Sequence, residues 1–232
     1  MEITAGYESS ILAGIIFFLG TITIWRLPKY KWLAAAILLI IITPVATPGF
    51  WFSEGDLGIN DWDFYFTVHT TVRNILLEYH QFPQWNPWIC GGTAAIGDPE
   101  FRFFTPTFLL QLIFGVPTGL RLAAWLATSF GAIGMLMLGK RIKLSVYGAL
   151  LAAMGVAFSS VNILEIVEGH PNIFAAMFIP WIFWAWLAAY RKKEIRGKKL
   201  WPLITGVFLA LTFFQGGIYL LMYGAINRAH WS

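Results

Sequence analysis

The stretch NDWDFYF, residues 60–66, places two carboxylates, Asp61 and Asp63, shortly after a long apolar run. A carboxylate at such a point has two ordinary uses. It can cap a helix by accepting backbone N–H bonds at the positive end of the helix dipole. It can also serve as a general base at a membrane surface. Both readings apply to Asp61, which opens a helical pattern. Residues two apart on a regular helix point in different directions, so Asp61 and Asp63 share one site only if the backbone there is not yet helical. The expectation is one principal carboxylate, Asp61, with Asp63 as helper.

A second polar group lies far along the chain, in VNILEIVEGH, residues 161–170, which carries Glu165, Glu168 and His170. His69, His80 and His170 are scattered, with no HxxxH spacing, so a histidine zinc site is not expected. Asp98 and Glu100 sit in a Pro- and Gly-rich stretch and are expected to serve in turns or caps. Cys90 is the sole cysteine, which excludes an internal disulfide; packing is its expected role. No phosphate-gripping Gly loop, nucleophile elbow or serine triad pattern is present.

The elements that must position these groups are those of a membrane protein. Residues are 58% hydrophobic and only 12% charged, with mean hydropathy +0.66, whereas soluble domains carry about a quarter charged residues. The expected fold class is all-α and polytopic, a single membrane domain over residues 1–232. Six spans are predicted, at 9–25, 32–50, 121–139, 144–160, 171–190 and 201–224, each near the 17–25 residues that cross about 30 Å of hydrocarbon. The run 105–117 is too short to cross and is expected to be re-entrant or interfacial. Residues 62–80 read as an amphipathic interfacial helix, with Phe64, Val68, Val72, Ile75, Leu76 and Tyr79 apolar and Asp63, Thr67, Thr70, Asn74 and Glu78 polar. The following loop, 82–101, holds Trp85 and Trp88, which suit the aromatic belt at lipid headgroups.

Charge orients the spans. The loops 26–31, 140–143 and 191–199 hold 12 of the 16 Lys and Arg and one acid, Glu194; the other face holds four Arg and 11 of the 12 acids. The basic loops are therefore assigned to the cytoplasm, which puts the protein in the cytoplasmic membrane with both termini and the large loop 51–120 outside. The basic surplus is a topology signal and not a nucleic-acid footprint. The spans hold uncharged polar groups such as Gln111 and Gln215 but almost nothing ionisable, which argues against an ion-coupled transporter.

The ordered set of an Asp-bearing turn, an amphipathic helix, FPQWNPWICGG, GDPEFRFFTPTFLLQLIFG and EGHPNIFAAMFIPWIFWAWLAAY resembles the YfhO-type bacterial membrane proteins of the GT-C glycosyltransferase superfamily. The resemblance covers roughly residues 32–225. It implies a GT-C-like fold that transfers a sugar from a polyprenyl-phosphate donor to an acceptor hydroxyl on the outer face. A carboxylate opening the first large outer loop would be the base, in some such enzymes with a divalent cation, Mg or Mn; here that is Asp61, with Asp63 as the near alternative. Glu168, His170 and Asn172 fall where acceptor or phosphate contacts are expected, and Arg102 is the candidate partner of the donor phosphate, with Arg73 a second cation that pairs or snorkels. Compared with the family, the chain carries an additional span, 9–25, and stops soon after its sixth. The alternative expectation is a non-catalytic GT-C-like subunit that holds a membrane lipid or another membrane subunit.

Overall fold

The computed structural model describes residues 2–47, 50, 61–98, 100–191 and 200–222, with the side chains of 2–7 and 191 left aside. The chain is helical almost throughout. Its helices are α1 (Glu2–Arg26), α2 (Lys31–Ala46), α3 (Trp62–Leu77), α4 (Pro106–Phe114), α5 (Val116–Arg141), α6 (Val146–Ala157), α7 (Ser160–Glu168), α8 (Ile179–Arg191) and α9 (Leu200–Phe214). A 3₁₀ helix, Pro171–Phe178, leads into α8, and a two-residue hairpin pairs β1 (Trp85–Asn86) with β2 (Thr93–Ala94).

Four helical stretches are long and apolar enough to cross a membrane: Glu8–Arg26, Val116–Arg141, Val146–Glu168 and Pro171–Tyr190. They mark the chain as a membrane protein. The expected spans at 32–50 and 201–224 correspond to α2 and α9, which have 16 and 15 residues. At 1.5 Å per residue these cover about 22–24 Å, short of the hydrocarbon thickness. Residues 48–49 and 223–224 of those spans, 51–60 of the outer loop and 192–199 of the basic loop lie outside the described residues.

Three expectations are revised by local geometry. The span expected at 121–139 starts earlier, because Gly115 ends α4 and Pro117 sits in the first turn of α5, where its missing N–H costs nothing. The run 105–117 holds the nine-residue α4, capped by Thr105 and joined to α5 through Gly115 alone. The segment 161–170 is largely helix: the Ser159 hydroxyl accepts the Asn162 N–H at 3.2 Å and starts α7.

Packing is divided between two ends. Near the basic end, Ile24, Leu38, Leu39, Leu136, Ala149 and Leu150 form one core. There the Lys140 ammonium stands 5.2 Å over the Trp32 ring, and the Arg141 guanidinium lies 4.3 Å over Trp184 and 5.0 Å over Trp201. The starts of α2 and α9 and the ends of α5 and α8 therefore meet at one end. At the opposite end Trp62, Leu120, Ala124, Ile166, Phe174 and Phe178 form a second core beneath the polar residues. Helix α1 packs lightly, with Ile11, Leu12, Phe18, Leu19 and Trp25 exposed, as expected of a surface solvated by lipid.

Helix α3 is amphipathic, but its buried face is rotated from the expected stripe. Trp62, Tyr65, Val68, His69, Val72 and Ile75 point inward, whereas Phe64 and Tyr79 are 43% and 54% exposed. The polar groups of Tyr65 and His69 bring them inside, because each finds a partner there, the half-buried Glu100 and the buried Gln111.

Candidate functional site

The site is built where two helix ends meet. The last turn of α7 closes on Gly169, which has φ +85° and passes the chain into a reversed turn. The His170 N–H returns to the Glu165 carbonyl at 2.8 Å, as in a Schellman cap. A Cβ on Gly169 would stand 2.5 Å from the Trp62 nitrogen, so both the backbone angle and the close approach require glycine. The N-terminus of α3 docks on this turn. Asp61 N–H donates to the Glu168 carbonyl at 3.1 Å, and the Trp62 indole N–H donates to the Ile166 carbonyl at 3.0 Å. Carbonyls left over at one helix end thus satisfy donors at the other, with opposite dipole ends in contact.

This docking brings Asp61 to His170. Asp61 Oδ2 lies 3.1 Å from His170 Nε2, and His170 Nδ1 lies 3.0 Å from Glu165 Oε2 and 3.7 Å from Glu168 Oε2. A neutral imidazole has one N–H and can donate to only one of these carboxylates, whereas a doubly protonated ring donates to both. Asp61 occupies the N-cap position of α3, yet its side chain makes no capping hydrogen bond. The carboxylate is turned to the histidine instead, and its side chain is 55% exposed.

The expected site residues divide accordingly. Asp61, Glu168 and His170 are brought together, and Glu165, not among the expected contacts, is the closer of the two glutamates to the ring. A signal for it existed: Glu165 stands five residues before His170, the spacing closed by the Gly169 turn. Asp63 is not brought in. The helix begins at Trp62, so Asp63 is already helical, and its side chain is exposed. Asn172 stands at the start of the 3₁₀ helix, two residues past His170, with its Oδ1 buried and without a hydrogen bond among the described residues.

Arg102 belongs to a different cluster, on the inner side of α3. It is 5% exposed, has φ +39°, and its guanidinium lies 4.3 Å over the Tyr65 ring. The Tyr65 hydroxyl donates to the Glu100 carboxylate. Burial pushes the Tyr65 phenol above its usual range, opposed by Arg102 and reinforced by Glu100. Burial lowers the Arg102 pKa, opposed by Tyr65 and Glu100. Both terminal nitrogens of Arg102 are buried without a hydrogen-bond partner among the described residues. The residue lines a cleft of about 280 Å³ together with Ile96, Asp98, Phe104 and Phe214.

Beside it, His69 Nδ1 meets Gln111 Oε1 at 2.7 Å, and Thr107 donates to Gln215 Oε1 at 2.9 Å. Burial, aided by the Arg102 charge, pushes His69 down to about 3. Gln111 and Gln215, which the sequence shows as isolated polar groups in apolar runs, are parts of this network. Arg73 Nε donates to the Gln111 carbonyl at 3.1 Å, and its Nη2 to that of Leu112 at 3.4 Å. It holds the carbonyl end of α4 rather than a ligand. Asp98 serves in a turn, accepting the Glu100 N–H at 2.9 Å. Cys90 is exposed and does not pack.

The carboxylates around His170 form a hydrogen-bonded group with the ring between them. Among the described residues no three His, Cys, Asp or Glu side chains are arranged to hold a metal ion. An apolar cavity of about 400 Å³ lies between α5, α6 and the 3₁₀ helix, lined by Ala127, Gly131, Gly155 and Met177 among others, with Ser159 and Asn162 at its wall. In comparisons with known proteins, no family model, no curated protein and no solved structure matches this chain.

Proposed function

We propose that the chain is all or part of a GT-C-type membrane glycosyltransferase with six spans, counting α2 and α9, that moves a sugar from a polyprenyl-phosphate donor to an acceptor hydroxyl on the outer membrane face. The observation that carries the reading is the Asp61–His170 pair, joined across 109 residues of sequence at 3.1 Å. It holds one carboxylate oxygen and leaves Oδ1 for an incoming hydroxyl. In the reaction, Asp61 takes the proton of the acceptor O–H as that oxygen bonds to the anomeric carbon. The anomeric C–O bond to phosphate breaks, and the phosphate leaves with the electron pair. Phosphate is a good leaving group, so the positioned base supplies the catalysis, typically about 10²–10⁴-fold. His170 orients Asp61, and Glu165 orients His170. Arg102, which lines the cleft and whose two terminal nitrogens are buried without a hydrogen-bond partner among the described residues, is the candidate for the donor phosphate.

A second reading, a non-catalytic lipid-holding subunit of a membrane complex, draws on the 400 Å³ apolar cavity between the membrane-length helices. One experiment separates the two. Protein reconstituted in vesicles with a labelled polyprenyl-phosphate sugar should transfer label, and Asp61→Asn should abolish transfer with insertion and unfolding midpoint unchanged. Full activity of an Asp61→Asn, Asp63→Asn double variant sinks the catalytic assignment. Native mass spectrometry showing a bound polyprenyl phosphate but no transfer by any preparation favours the subunit reading.

A further inference from the structure

The loop after α3 carries a second surface that takes no part in the Asp61 cluster. Tyr79, Phe82, Trp85 and Trp88 are each about half exposed, and with the amides of Gln81 and Gln84 they line a groove of about 690 Å³. No charged side chain lines it. The rings are pinned. Tyr79 and Trp88 stack with centroids 6.2 Å apart and planes 30° from parallel. Trp85 belongs to the hairpin strand β1 and lies on the backbone of Gly92, where a Cβ would stand 2.4 Å from the indole and where φ is +116°. Asn86, fully buried, accepts the Trp88 N–H at 2.9 Å. Among the described residues the Trp88 indole N–H, the Tyr79 hydroxyl and both glutamine amides make no side-chain hydrogen bond and are available to a ligand, whereas the Trp85 indole nitrogen lies against Gly92.

The neighbouring aromatic surface has a different character. Phe103, Phe104, Phe213 and Phe214 line the next cleft, toward α9, with no indole, phenol or amide among them. Phenyl rings alone suit lipid chains. A groove that alternates indoles and a phenol with amides suits a ligand having both apolar C–H faces and many hydroxyls.

We propose that the Tyr79–Trp88 groove binds a neutral saccharide chain, its pyranose faces stacked on the fixed rings and its hydroxyls bonded to Gln81, Gln84 and the ring donors. Rings held before binding lose little freedom when a ligand arrives, which favours a weak but selective platform. The groove lies about 20 Å along α3 from Asp61 at 1.5 Å per residue, so it stands whether or not Asp61 transfers sugar.

Cys90, exposed and outside the groove lining, takes an environment-sensitive fluorophore without further engineering. The labelled protein in nanodiscs is titrated with cellohexaose, chitohexaose and maltohexaose. A saturable response to at least one of them is expected. Trp88→Ala and Gln84→Met should each weaken it about tenfold or more, with the unfolding midpoint retained, and Asp61→Asn should leave it unchanged. Absence of a saturable response to all three overturns the proposal, as does a response that both groove variants preserve. Strong quenching of the label by lipids brominated on their acyl chains overturns it too, because it makes the groove a lipid seat.

Discussion

The two polar clusters on either side of α3 use the same kinds of residue for opposite ends. On one side Asp61, His170 and Glu165 meet at hydrogen-bonding distance while remaining partly exposed. On the other, Tyr65, His69, Arg102 and Gln111 are buried, and the titrating groups among them have strongly displaced pKa values. Burial fixes protonation, so Tyr65 and His69 suit a structural role. Partial exposure leaves a carboxylate reachable, which a base needs. The difference teaches that the count of titratable groups in a region says little until burial is known.

The largest expected effect breaks this contrast from the exposed side. Under the proposed function Asp61→Asn removes the base and should lower sugar transfer by about 10²–10⁴-fold with little change in unfolding midpoint, measured in vesicles with a labelled donor. His170 acts through Asp61, so His170→Ala should cost less, about 10–100-fold, in kcat rather than in KM for the donor. His170→Gln, whose amide can still donate to the carboxylate, should recover part of the loss. A purely structural His170 would show no such rescue.

The buried side should respond in stability. Tyr65→Phe leaves the Glu100 carboxylate without its phenol donor, at a cost of about 1–3 kcal/mol, readable as a lower unfolding midpoint in detergent. His69 gives a pH signature. Its folded value is about 3, below the ordinary 6.5, so the unfolded chain gains the proton first as pH falls. The stability contributed by the neutral buried ring is complete above pH 6.5 and is lost progressively as pH falls toward 3. Compared with the parent, His69→Asn should flatten the fall in midpoint over that window. The smallest effect is expected at Asp63→Asn: the side chain is exposed and outside the Asp61 cluster, so transfer should change by less than about threefold.

Parts of this arrangement were legible in the residues alone. The helical period of residues 62–80 announced α3, which ends at Leu77, whereas Asp61, Glu168 and His170 were assigned to one site only through the family resemblance. The contact of Glu165 with His170 was not expected, because it depends on the αL turn at Gly169, which brings residue 170 back over residue 165. The burial of Tyr65 and His69 was hidden for a related reason. Periodicity ranks residues by hydropathy, and a polar side chain with a partner inside defeats that ranking. The partners, Glu100 and Gln111, stand 35 and 42 residues away.

Composition and apolar run length by themselves determined that this chain is helical and suited to a membrane, because a backbone in hydrocarbon must satisfy its own hydrogen bonds. The clustering of basic residues determined which loops share an end. Only the tertiary structure decided which carboxylate meets the histidine and which stands apart. That choice rests on the docking of the α3 N-terminus against the α7 C-terminus, a contact between segments more than a hundred residues apart, where leftover donors meet leftover carbonyls and a glycine leaves room for them to touch.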